Sequence, residues 1–165
     1  MSSIGSKWLR AALLAACVAS SGTATADFTG RVVGVADGDT LTVMKHRRKV
    51  KIRISGIDAP ERQQAFGKLA KLSLTELALG REVFVEEHKK DRYGRTLGRV
   101  MQGGADLGLR QIERGLAWHY KQYARDQPAS ESWRYAAAEK RARQQHAGLW
   151  REARPIPPWR WRHTR

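Results

Sequence analysis

Thiols, acidic side chains and long apolar runs are all scarce in this chain of 165 residues. Its one cysteine, Cys17, falls within the first 26 residues. A form without that segment has no thiol, which excludes disulfides and cysteine-ligated metals. Sixteen Asp and Glu stand against 31 Lys and Arg, a formal net charge of +15. The excess is spread along the chain and not gathered in one tail. A field of that sign draws in phosphate polymers or anionic membranes and makes binding sensitive to salt. The apolar run from Ala11 to Ala19 is far short of the roughly 20 residues that span a bilayer. No long amphipathic basic helix is apparent, which argues against a membrane-active cation. The histidines, His46, His88, His119, His146 and His163, lack metal-ligand spacing. No internal repeat of about 20–50 residues is present, so one domain with appendages is expected.

Residues 1–26 have the pattern of an export signal. Lys7 and Arg10 precede the apolar run, and Ala24-Thr25-Ala26 is a small-x-small cleavage site. The expectation is a protein exported to the periplasm or secreted, without a membrane span. Leu14-Ala15-Ala16-Cys17 also matches a lipoprotein box, the minority alternative, in which Cys17 would become a lipidated N-terminus.

From Phe28 onward the side chains alternate, which predicts strands. Val33 and Val35 are read as sharing one face, and Asp37-Gly38 as a two-residue hairpin turn with positive φ. The return strand puts Asp39, Leu41 and Val43 on one face. A third strand, from Lys49 to Gly56, turns Val50, Ile52 and Ile54 to the core and Lys51 and Arg53 away. Beyond Pro60 the period becomes helical, with Phe66, Leu69, Ala70, Leu74 and Leu77 on one face. Two further strands, from Arg81 to Glu87 and from Thr96 to Gln102, flank a turn at Tyr93-Gly94. Asp106 is read as the cap of a short helix ending at Gly115, and Ser130 as the cap of another running to about Ala147. These elements predict an α+β fold, a five-stranded OB-fold-type β-barrel with three helices, over residues 27–150. The Arg-, Pro- and Trp-rich residues 151–165 have no period and are expected to form an extended tail that binds nucleic acid electrostatically, the alternative being that its tryptophans fold back onto the barrel.

The scarce acids are not scattered evenly. Asp39 shares a face with core residues at the start of its strand, where a carboxylate is costly unless paired or bound to metal. Asp58 follows the third strand, and Glu61 lies three residues on. Such oxygen donors suit Ca²⁺ or Mg²⁺. Arg53 and Arg95 are each readable alone as a surface charge, a reading that weakens once the acids are considered with them, because a phosphodiester site needs cations opposite its acids.

Together these motifs resemble the staphylococcal nuclease family. Asp37-Gly38-Asp39-Thr40, Arg53, Asp58-x-Pro60-Glu61, Asp91-x-Tyr93-Gly94-Arg95, Gly115-Leu116-Ala117 and Gly148-Leu149-Trp150 occur in that family's order. The resemblance implies Asp39, Asp58 and the carbonyl of Ala59 as Ca²⁺ ligands, and Glu61 as general base. It places Arg53 and Arg95 on the scissile phosphate, Arg92 and Tyr93 on a terminal phosphate, and Tyr120 and Tyr123 near a base-stacking wall. The implied activity is Ca²⁺-dependent hydrolysis of DNA, RNA or both, leaving 3′-phosphates, by a monomer with no stable protein partner. Two departures are visible: Ala59 replaces a threonine, and the loop after Glu61 is short. The alternative is a secreted, non-catalytic nucleic-acid-binding module. Pure binding gains nothing from three acids beside a polyanion, so the acids favour catalysis.

Overall fold

Strand β1, Phe28–Val35, pairs antiparallel with β2, Thr40–Lys45, and β2 with β3, Arg48–Ile54, as the alternation predicts. The computed structural model describes residues 26–122 and 127–164. Residues 1–25, with Cys17 and almost all of the expected signal segment, lie outside these, as does Tyr123. After β3 come the short β4, Ile57–Asp58, and helix α1, Gly67–Ala78. Strand β5, Glu82–Lys90, pairs with β1, and β6, Thr96–Gln102, with β5. Strand β6 then runs parallel to β3, with Leu97 opposite Arg53, and this pairing closes the five-stranded barrel. The expected α+β class therefore holds.

The remaining elements cover the barrel and its rim. Strand β7, Ala105–Asp106, leads into α2, Leu107–Glu113, whose first turn is capped as expected by Asp106 accepting from Leu109 N at 3.1 Å. Strand β8, Trp118–His119, pairs with β4 and puts Trp118 opposite Asp58. Helix α3, Ala129–Gln144, packs on α2. Leu41, Val43, Ile52, Ile54, Val83 and Val100 fill the interior against Leu74 of α1 and Ile112 of α2. Each such buried side chain stabilises by about 1.5–3 kcal/mol, against about 0.2–1 kcal/mol for an exposed ion pair. The barrel interior therefore holds the fold, and the charged rim is free for chemistry. No helix among the described residues is long and apolar enough to cross a membrane.

Several local expectations are corrected. Val33 and Val35 do not share a face, because the β1–β2 register shifts between Val32 and Gly34. Val32 enters the core, Val33 is exposed and Val35 packs inward. The β1–β2 turn is longer than two residues: Ala36 N donates to Thr40 O at 2.9 Å, and Gly38 does not have positive φ. Its lack of a side chain matters for a different reason, close approach. A Cβ on Gly38 would lie 2.5 Å from Ala70 Cβ and 2.7 Å from Ala59 Cβ. Leu69 is exposed although Ala70 and Leu74 of the same helix are buried. Pro128, not Ser130, stands at the start of α3.

The largest correction concerns residues 151–164, which are not an extended tail. A 3-10 turn, Gly148–Arg151, buries Leu149 and Trp150 with Trp118 and Ala142 in a second apolar cluster. The chain continues to a single turn, α4, Pro158–Trp161, for which proline near the start is preorganised. Pro158 is buried, and Trp159 packs edge-on to Trp118 at 5.5 Å and stacks on Tyr120 at 5.4 Å. Periodicity could not show this, because the anchors are individual aromatic contacts and not one face of a repeating element.

Candidate active site

Asp39 and Asp58 reach one end of the barrel by different routes. Ile54 N donates to Asp39 O at 2.8 Å, so Asp39 extends the β2 ladder one residue beyond Thr40. Its side chain follows Leu41 and Val43 inward, as the alternation predicts, and is buried. The Oδ2 atom accepts from Ala59 N at 2.8 Å and Oδ1 from Thr40 Oγ1 at 2.9 Å. These bonds tie the β1–β2 turn to the segment after β4. Asp58 arrives on β4 and is 1% exposed.

Arg53 lies between the two acids. Its Nη2 is 3.1 Å from Asp39 Oδ2 and 2.9 Å from Asp58 Oδ1. Its Nη1 donates to the carbonyls of Ile54 at 2.8 Å and Ile57 at 2.9 Å. A planar fork held by four oxygens has a fixed orientation, which a lysine could not reproduce. Arg53 is thus a rim cation set against acids and not a barrel-surface charge.

The turn that carries Asp39 is braced from behind. Gln111, on α2 and fully buried, donates from Nε2 to Gly38 O at 2.7 Å and Ala70 O at 2.9 Å, and Ser73 Oγ donates to its Oε1 at 2.6 Å. Asp37 Oδ1 accepts from Asp39 N at 3.1 Å. Burial, and then the neighbouring charge of Asp39, push the Asp37 carboxyl up to about 6. Burial also raises Asp58, opposed in part by Arg162 and Arg53.

Glu61 stands at the edge of this cluster. Gln64 clasps its backbone, accepting from Glu61 N at 3.1 Å through Oε1 and donating from its own N to Glu61 O at 2.8 Å. A second guanidinium bridges Glu61 to Asp58. Arg162, just past α4, places Nη1 2.7 Å from Glu61 Oε1 and Nη2 2.8 Å from Asp58 Oδ2. Neither Gln111 nor Arg162 is picked out by sequence reasoning. Gln111 looks like any helical polar residue, and Arg162 is one arginine among many in an aperiodic stretch.

Arg95 is placed differently. Leu97 lies opposite Arg53, and side chains two apart share a face, so Arg95 is on the Arg53 side, one step toward the hairpin. Its Nε donates to Asp91 Oδ2 at 2.7 Å, and Asp91 Oδ1 accepts from Tyr93 N and Arg95 N, each at 2.9 Å. Desolvation is the largest single influence on the Asp91 carboxyl and raises it, but the bonds from Arg95 and Tyr93 together outweigh it and hold the carboxyl below the usual range. Tyr93 is 69% exposed, with the Arg92 and Arg95 guanidinium groups 5.0 and 5.5 Å from its ring centre. Together they form an open, cationic and aromatic hairpin tip. Tyr120 is half-buried instead, its ring stacked on Trp159.

The donors suit a hard cation. Asp39 and Asp58 converge on one Arg53 nitrogen, so a small positive centre can be shared by both. Among the described residues no group of three or more His, Cys, Asp or Glu forms a complete metal cage. Ca²⁺ takes about 6–8 oxygens, so a backbone carbonyl, water and substrate oxygens would have to complete its shell. That is the composition of an open site, in which substrate itself can be a ligand.

A family model described as staphylococcal nuclease homologue matches residues 51–152. The chain is 42% identical over 141 residues to an uncharacterized endonuclease of Escherichia coli, covering 85% of this chain and 88% of the relative. It is 40% identical over 165 residues to a micrococcal nuclease of Shigella flexneri, covering 94% and 92%. A staphylococcal-like nuclease of Arabidopsis thaliana is 37% identical over 118 residues, which is 72% of this chain and 35% of that larger protein.

Proposed function

Since this chain belongs to the staphylococcal nuclease family, we propose that its barrel-rim site hydrolyses phosphodiester bonds of DNA, RNA or both with the help of Ca²⁺. The chain is a nuclease, and nucleic acid is its substrate. The observation that carries the finer reading is the Arg53 guanidinium held between two buried acids. Asp39, Asp58 and the carbonyl of Ala59 are the proposed ligands. The bound cation would neutralise charge on a phosphate oxygen.

Each remaining residue has a separate part in this proposal. Glu61, partly exposed at the edge of the cluster, accepts the proton of the attacking water. Arg53 and Arg95 donate to phosphate oxygens whose charge grows as phosphorus becomes five-coordinate. Arg95 must exchange Asp91 for phosphate to do so. Arg92 and Tyr93, at the open hairpin tip, are suited to a terminal phosphate. Tyr120, and Tyr123 beyond the described residues, are assigned to the bases. Departure of the 5′-oxygen leaves a 3′-phosphate. The same reading makes the protein an exported monomer, with residues 1–26 removed.

Digestion of plasmid DNA and of RNA with Ca²⁺, with Mg²⁺ and with excess chelator tests the proposal. The expected result is cleavage with Ca²⁺, its loss in chelator, and 3′-phosphate ends. Full activity in chelator would overturn the metal assignment.

A further inference from the structure

Arg162 occupies two of the groups on which the proposed reaction depends. Its Nη2 holds Asp58 Oδ2 at 2.8 Å, while Nη1 holds Glu61 Oε1 at 2.7 Å and approaches Asp58 Oδ1 at 3.3 Å. A carboxylate so engaged is a poorer ligand and a poorer base, because an incoming cation or water must first displace a charge-assisted hydrogen bond. The contact is built and not incidental. Gln64 Nε2 donates to Ile156 O, Pro158 is buried, and Trp159 lies on both Trp118 and Tyr120. The same segment therefore covers Tyr120, the described member of the proposed base wall.

We propose that residues 155–162 are an autoinhibitory strap whose Arg162 stands in for the divalent cation, and that cation together with nucleic acid displaces it. The inference rests on the reading of Asp58 as a cation ligand. With the strap seated, Arg53 and Arg162 set two positive charges against the three carboxylates of Asp39, Asp58 and Glu61; with it lifted, Arg53 and a divalent cation would supply three, so the exchange completes the neutralisation. The strap is also displaceable. Its helix is one turn long, and the Arg162 side chain is 43% exposed, so water can reach the ion pair and weaken it. A polyanion assists, since Arg160 and Arg162, once freed, meet phosphates. Arg162 lies beyond the residues 51–152 that match the family, so the strap is not part of that shared segment.

Thermodynamic reciprocity supplies the test: if Arg162 weakens cation binding, the cation must weaken the strap by the same factor. Ca²⁺ affinity is measured by calorimetry on the full chain and on its Arg162→Gln, Arg162→Lys and Arg154→Gln variants. Arg162→Gln is expected to bind Ca²⁺ tighter by a factor within about 5–150. Arg162→Lys should fall between the two, since it keeps the charge but loses the fork that spans Asp58 and Glu61. Arg154→Gln should leave affinity unchanged, because Arg154 is exposed and removing it alters only the net charge. In parallel, Ca²⁺ should speed tryptic cleavage after Arg160 and Arg162 in the wild type. Equal Ca²⁺ affinity in wild type and Arg162→Gln overturns the strap and leaves the metal assignment standing. Absence of Ca²⁺ binding in both overturns the metal assignment and the strap with it.

Discussion

Gln111 donates its side-chain amide to the carbonyl of Gly38, 73 residues earlier, and so holds the turn that carries Asp39. The same nitrogen reaches Ala70 O, and the amide oxygen receives Ser73 Oγ. Gln111→Leu keeps the volume but strands these partners in a dry interior. Each buried polar group left unsatisfied costs about 1–3 kcal/mol. The variant should therefore melt at lower temperature and, with the turn loosened, lose turnover at temperatures where it remains folded. An unchanged melting temperature and unchanged kcat would show that the brace is idle.

Arg53→Lys tests whether geometry or charge matters at the rim. Lysine retains the positive charge but cannot span Asp39, Asp58 and two carbonyls at once. Loss of one transition-state donor costs about 10²–10³ in turnover. That fall is expected in kcat at saturating DNA, with some loss of stability because the carbonyls of Ile54 and Ile57 lose their donor. Near-full turnover in the lysine variant would remove Arg53 from the catalytic set.

The hairpin tip gives a prediction in pH. The folded-state pKa of Asp91 is lowered, so its contribution to stability is complete above the unfolded value of about 3.9 and is lost as pH falls through the folded value. Asp91→Asn should thus melt below the wild type at neutral pH, and the gap should close in strong acid. Carbon-detected NMR should find the Asp91 carboxyl titrating below the ordinary range. A normal value would mean that Arg95 is not held by Asp91 in solution.

How much of this was legible in the sequence depends on the range of the interaction. Strands carried by Leu41, Val43, Ile52 and Ile54 announce themselves by alternation, and the helix of Ala70 and Leu74 by its period. The inward direction of Asp39 followed from the same count. The bulge at Val32 and Gly34 did not, because a register shift is settled by the partner strand. Gly38 reads as a turn residue, yet what requires it is close approach to Ala59 and Ala70. Arg162 was the least visible, since nothing local distinguishes it from Arg160. Its partner acids lie 101 and 104 residues away.

The parallel pairing of β3 with β6 means that the proposed catalytic set cannot assemble in a fragment that lacks either strand. Leu97, two residues past Arg95, comes opposite Arg53 across that seam, and Gln111 arrives later still along the chain. Contacts of such long sequence separation form late, after the loop entropy has been overcome. A half-made molecule is therefore expected to be chemically silent and not merely less efficient. Hydrolytic competence should switch on with closure of the barrel as a single event, which makes activity a sharper witness of complete folding than secondary structure is.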